Sequence, residues 1–91
     1  MNININEKDI ELKFTLRSMM MYENITGKTF APEGISDILT FMYCIVVSCS
    51  KDYSLQFDDF VDWLDDNQSK LAEFSEWLTN VVKTQDFLKK N

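Results

Sequence analysis

The run Ile38-Leu39-Thr40-Phe41-Met42-Tyr43-Cys44-Ile45-Val46-Val47 constrains this chain more than any other feature, and only Thr40 interrupts its apolar character. A segment that is apolar on every side has no face to offer water, so it belongs at the centre of a fold with the other elements around it. It is far shorter than the ~20 residues a membrane-spanning helix needs. Ser36 and Asp37 precede it. A serine hydroxyl accepts from an unpaired N-terminal amide, and an aspartate suits the positive end of the helix dipole, so the pair predicts a helix start. The β-branched end Ile45-Val46-Val47 also suits a buried strand. Length and the serine cap favour a helix.

The N-terminal part follows a different period. Ile3 and Ile5 alternate with Asn2, Asn4 and Asn6, and Ile10, Leu12, Phe14 and Leu16 alternate with Glu11, Lys13 and Thr15. Alternation places one apolar face on an extended strand. The polar break Asn6-Glu7-Lys8-Asp9 has the length of a hairpin turn, so a β-hairpin is expected over residues 2–6 and 10–15. A lone hairpin is marginal in water, and its Ile/Leu/Phe face needs helices to pack on.

A first helix is expected over 17–26, stopped by Gly27 as its C-cap, with Lys28 placed where a cation suits the dipole. Residues 27–35 hold both glycines and the single proline and read as a loop. Beyond the polar connector Lys51-Asp52-Tyr53-Ser54, Phe57, Phe60, Val61 and Leu64 recur at i, i+3, i+4 and i+7, which is one helical face. Asn67 is the expected cap of a final helix striped by Leu71, Phe74, Leu78, Val81 and Val82, with Trp77 beside the stripe. Residues 86–91 are expected to fray. The whole reads as one domain of 91 residues, mainly α: a hairpin over 1–16, then a helical body of about four helices around the central apolar one.

Several function classes are disfavoured. The chain has no histidine, which removes the usual general base near neutral pH and the commonest metal ligand. Gly27 and Gly34 are the only glycines, so there is no phosphate-binding Gly-rich loop. The formal charge is −6, so a nucleic-acid backbone is not an expected partner. On one helix Cys44 and Cys49 would stand ~7.5 Å apart along the axis, too far for a disulfide, whose Cα atoms lie within ~7 Å. Two cysteines without histidine do not make a structural zinc site. A non-enzymatic chain without cofactor or metal is expected. Lacking the basic start and apolar stretch of a signal peptide, it is expected in the cytoplasm.

The candidate sites are therefore contact surfaces. Asp58, Asp62, Asp65 and Asp66 belong to a segment from Asp52 to Glu76 with eight acids and one base, Lys70. No calcium-loop pattern is present, leaving a solvated face that aids solubility or a surface for a basic partner. Met19, Met20 and Met21 cannot all face one core. They read as gap-fillers or as the soft contact surface that methionine favours. Trp63 and Trp77 flank their stripes and serve the core or an interface. An exposed methionine run would also favour a homo-oligomer.

The segment Leu16-Arg17-Ser18-Met19-Met20-Met21-Tyr22-Glu23-Asn24-Ile25-Thr26-Gly27-Lys28 resembles the start of tail assembly chaperones of long-tailed bacteriophages, in which a helix ends in a Glu-x-x-Thr-Gly-Lys-like sequence. The acidic helical remainder, with Phe57-Asp58-Asp59-Phe60-Val61-Asp62-Trp63-Leu64, fits the same layout. The resemblance implies a chaperone that keeps the tape-measure protein soluble and recruits tail-tube subunits, with no catalytic residues to transfer. The competing expectation is an acidic mimic of nucleic acid that inhibits a DNA-binding protein. It is motivated by small size and charge, although Lys8, Lys13 and Arg17 keep the acidic excess to one segment.

Overall fold

The structure, a computed structural model, describes residues 1–84, with side chains described through Val82; the expected fraying of 86–91 lies outside it. An N-terminal hairpin of β1 (Asn2–Ile5) and β2 (Lys8–Glu11) leads into α1 (Leu16–Thr26), α2 (Gly34–Ser50), α3 (Phe57–Asp66) and α4 (Ser69–Thr84). The mainly α fold with a small hairpin is the architecture that the patterning predicts.

The hairpin pairs antiparallel, Ile3 opposite Ile10 and Ile5 opposite Lys8. Its turn is shorter than the polar break predicts. Asn6 and Glu7 alone make it, at φ 53° and 65°, because a two-residue turn with both central residues at positive φ matches the twist of the paired strands. The second strand therefore begins at Lys8 and ends at Glu11, not over 10–15. Pairing continues one step further through the Leu12 amide, which donates to the Met1 carbonyl at 2.8 Å. Ile3, Ile5, Ile10 and Leu12 are all buried.

Helix α1 starts one residue earlier than the composition suggests. Thr15 is its N-cap: its hydroxyl oxygen accepts from the Ser18 amide at 3.1 Å, and the Ser18 hydroxyl oxygen accepts from the Thr15 amide at 3.3 Å. This reciprocal capping box satisfies amides that the first turn leaves unpaired. It also ends the strand period, so Leu16, expected on the hairpin's apolar face, is 64% exposed on α1. At the far end Gly27 takes φ 71° and its amide donates to the Glu23 carbonyl. That left-handed cap is the one the sequence predicts.

Helix α2 begins at Gly34 rather than at Ser36, which is exposed within the first turn. The Asp37 carboxylate takes the capping role by accepting from the Glu33 amide at 3.1 Å. The helical reading of Ile38–Val47 holds, and Phe41, Met42, Cys44, Ile45 and Val46 are fully buried. Phe41 is the hub of the core, with ring centroids 4.7 Å from Phe30, 5.8 Å from Phe14, 5.9 Å from Tyr22 and 6.3 Å from Phe74. Phe14 and Tyr22 meet it edge to face and Phe30 and Phe74 at a tilt; edge-to-face pairs add ~0.5–1.5 kcal/mol each beyond the area they bury.

Helix α3 buries Phe60 and Leu64, and α4 buries Phe74 and Leu78. The connector holds by its own polar groups: the Asp52 carboxylate accepts from the Ser54 amide, and the Tyr43 hydroxyl donates to the Leu55 carbonyl. Asn67 was expected to start α4, but its side chain closes α3. Its side-chain amide donates to the Trp63 carbonyl at 2.8 Å and its backbone amide to Leu64 at 2.9 Å.

Candidate functional site

The methionine run divides by face. Met19 is buried, Met21 is half-buried against the core, and Met20 is 64% exposed. Met20 lies one turn beyond exposed Leu16, and Ile25, 55% exposed, lies one turn beyond Met21. Leu16 and Met20 share one exposed side of α1, Met20 also lines a shallow depression with Met21 and Ile25, and Met19 serves the core. Trp63 and Trp77 are half-buried and lie on core aromatics, with ring centroids 6.0 Å from Phe60 and 5.5 Å from Phe74 respectively. They shield the core at its edge.

Asp58, Asp62, Asp65 and Asp66 are all exposed on α3. Among the described residues the ion pairs are Lys8–Asp52, Lys28–Asp37 and Lys70–Glu73, so none engages these four. Their arrangement opposes the helix that carries them. Asp58 and Asp62, and Asp62 and Asp66, are like-charge i,i+4 pairs. Such pairs cost an isolated helix ~0.2–0.5 kcal/mol each. Asp65 and Asp66 also sit in the last turn, which holds no base, at the negative end of the dipole. Asp58 alone is well placed, in the first turn.

Beside this acidic stripe lies an open groove of about 730 Å³ where the start of α2 meets α3 and α4. Ile35, Ile38 and Leu39 form one wall, Val61 and Leu64 the second, Leu71 the third, and Asp65 stands in the lining. Asp58, Asp62 and Asp65 fall at i, i+4 and i+7 on one exposed face of α3, and of the three Asp65 stands in the groove lining while Asp62 lies opposite buried Phe60 and Leu64. Ile35 is 73% exposed, the most exposed large apolar side chain among the described residues. The sequence pattern hid this groove. Val61 and Leu71 belong to stripes that read as core, yet both are only half-buried, and Ile35 stands outside the apolar run. The available signal was stripe width: three helices carry more apolar positions than one small core encloses.

The Glu23–Lys28 segment, which carries the family resemblance, forms a bonded junction. The Glu23 carboxylate accepts from the Phe30 amide at 2.8 Å. The Thr26 hydroxyl donates to the Tyr22 carbonyl at 2.8 Å and accepts from the Lys28 amide at 3.2 Å. Lys28 does not stay at its own helix end: its ammonium donates to Asp37 at 2.8 Å, at the start of α2. That bond lowers the Asp37 pKa, helped by the Glu33 amide, and raises the Lys28 pKa. Tyr22 is fully buried beneath the junction, and its hydroxyl makes no close hydrogen bond, although it lies within interaction reach of the Asp37 carboxylate. Burial and the nearby Asp37 charge raise its pKa.

Both thiols are free. Cys44 is buried and its thiol is pushed up to about 12 by that burial. Cys49 is half-buried, and its sulfur accepts from the Lys13 amide at 3.2 Å. Among the described residues no group of three acids or cysteines is placed to hold a metal ion, and no helix is long and apolar enough to cross a membrane. Comparison of the chain with protein families, with curated proteins and with solved structures gives no match.

Proposed function

We propose that this chain is a non-enzymatic assembly chaperone of a long-tailed phage or prophage, acting in the bacterial cytoplasm by binding the tape-measure protein and recruiting tail-tube subunits. One observation carries the reading. An acidic stripe without ion pairs, whose charges weaken the helix bearing them, meets an open apolar groove at Asp65. Local stability does not account for that combination, whereas a client contact does: exposed apolar surface takes up client side chains, and surrounding negative charge keeps the complex dissolved. The choice of tail proteins as clients comes from the resemblance carried by Glu23-Asn24-Ile25-Thr26-Gly27-Lys28. The Met20–Met21–Ile25 surface of α1 would be left for a second contact, with a tube subunit or another copy of the chain.

Co-expression with a tape-measure protein and a tube protein from the same phage tests the proposal. The expected result is a soluble complex that contains the tape-measure protein, and its aggregation when the chain is omitted. No complex with either protein would overturn the reading. Competitive, salt-sensitive inhibition of a DNA-binding enzyme would replace it with the nucleic-acid mimic. Sedimentation of the wild type beside Met20→Glu tests self-association through α1.

A further inference from the structure

We infer that the groove between α2, α3 and α4 takes one amphipathic helix with an apolar stripe flanked by lysine or arginine at three- and four-residue spacing. The inference rests on the binding role proposed above and specifies the chemistry of the partner. Its basis is the geometry of the walls. Ile35, Ile38, Leu39, Val61, Leu64 and Leu71 line an open trough walled by helices, with Gln68 of the α3–α4 turn also in its lining. An apolar helical face recognises such a trough by anchors at i, i+3, i+4 and i+7.

The flanking charge then selects among amphipathic helices. Asp65 stands in the groove lining, and Asp58, Asp62 and Asp65 rise over about 10.5 Å on the exposed face of α3 next to it, at 1.5 Å per residue. A helix laid along α3 would bring its own flanking residues past them at matching intervals, so lysine or arginine is attracted and glutamate repelled. The three acids have no ion pair among the described residues, so a basic partner would not have to displace an existing one. It would also relieve the like-charge repulsion within α3. The exposed apolar side chain of Ile35 marks the open mouth of the trough.

The test titrates the full isotope-labelled chain with three synthetic helical peptides: a leucine stripe flanked by lysine, the same stripe flanked by glutamate, and a scrambled sequence of the lysine peptide's composition. Expected are amide shifts centred on Ile35, Ile38, Leu39, Val61 and Leu71 with the lysine peptide alone. Affinity should fall roughly tenfold in the Asp58→Asn/Asp62→Asn/Asp65→Asn variant or in high salt. Ile35→Glu, at an exposed position that the fold tolerates, should abolish the shifts. Equal binding of the glutamate or scrambled peptide, or shifts centred away from the groove, would overturn the inference. Co-purification of the tape-measure protein, run in parallel, separates the two claims. Retention of that client by Ile35→Glu would leave the chaperone role standing and remove the groove from it. Groove binding of the lysine peptide without any tail-protein complex would do the reverse.

Discussion

Lys28 and Asp37 join the end of α1 to the start of α2 through a 2.8 Å ion pair, nine residues apart in the chain. Asp37 also accepts from the Glu33 amide at the start of α2, so one carboxylate links two helices and satisfies an orphan donor. Replacement by Asn keeps the shape and removes the charge. Asp37→Asn is expected to lower the melting temperature at neutral pH. The pH dependence follows from the two shifts. The Asp37 carboxyl lies below its ordinary 3.8 when folded, so its stabilisation is complete above that value and is lost as pH falls through the folded pKa. The Lys28 ammonium lies above 10.5 when folded, so its share is present below that value and is lost as pH rises through the folded pKa. Thermal melts from pH 2 to 12 should show both limbs in the wild type and flatter limbs in the variant, with equal limbs in the two counting against the assignment.

The neighbouring Tyr22 gives a prediction of opposite sign. Its ring packs on Phe30 and Phe41, but its buried hydroxyl makes no close hydrogen bond and has only the Asp37 carboxylate within reach as a weak contact. A buried polar group left unpaired costs ~1–3 kcal/mol, whereas an apolar replacement of the same shape carries no such cost. Tyr22→Phe should therefore be neutral or gain about 1 kcal/mol in denaturant unfolding. A loss of stability would instead reveal a hydrogen bond from this hydroxyl to Asp37.

Much of this architecture was legible in the residue pattern, for physical reasons that also mark its limits. Ile38–Val47 had to be central because only Thr40 breaks its apolar character, and Gly27 had to end α1 because the left-handed cap favours glycine. Phe60, Leu64, Phe74 and Leu78 fall on the buried faces that their spacing assigns. Capping was misread wherever the chemistry was reciprocal or distant. Ser36 had the right side chain, but Asp37 reached the orphan amide. Asn67 suits a helix start by residue type, but its side-chain amide donates as well as accepts and closes α3 instead. The candidate site was half legible. The exposed acids and Met20 follow from composition and period, while the groove depends on how three helices meet, which no single stripe encodes.

Cys44 and Cys49 should differ sharply in reactivity. The nucleophile is the thiolate, and burial pushes the Cys44 thiol up to about 12 from 9.0. At pH 8 a thiol reagent is expected to modify Cys49 alone in the native protein, and Cys44 only after unfolding. The same shift gives the alkaline behaviour its sign. Above pH 9 the unfolded chain ionises Cys44 while the folded chain does not, so this contribution is full below pH 9 and lost as pH rises toward about 12. Fast modification of both thiols in the native state would contradict the burial.

The hairpin turn offers a stabilising change. Glu7 sits at φ 65° beside Asn6 at 53°, a conformation that costs an L-residue with a Cβ roughly 1–2 kcal/mol. Glycine occupies it without that penalty, and Asn-Gly is the preferred pair for this turn. Part of the gain is offset because glycine also loosens the unfolded chain. Glu7→Gly should raise stability by up to about 1 kcal/mol, or roughly 4–8 °C in a domain of this size. An unchanged or lower melting temperature would show that the turn geometry is not maintained in solution.

The acidic stripe separates stability from binding most directly at Asp62. It has Asp58 and Asp66 one turn away on either side, and Asp59 and Asp65 three residues away, all carboxylates on α3. A lysine there turns each repulsive spacing into an attractive one. Asp62→Lys should melt above the wild type, with the gain largest at low salt and shrinking as salt screens the pairs. If the stripe serves only solubility, nothing but stability should change. If it faces a basic client helix, the same variant should release the client while folding better. Measuring the melting temperature and client retention on the same preparation therefore decides between the two uses of this face. A more stable Asp62→Lys that still holds its client at wild-type affinity would assign the acids to solubility alone.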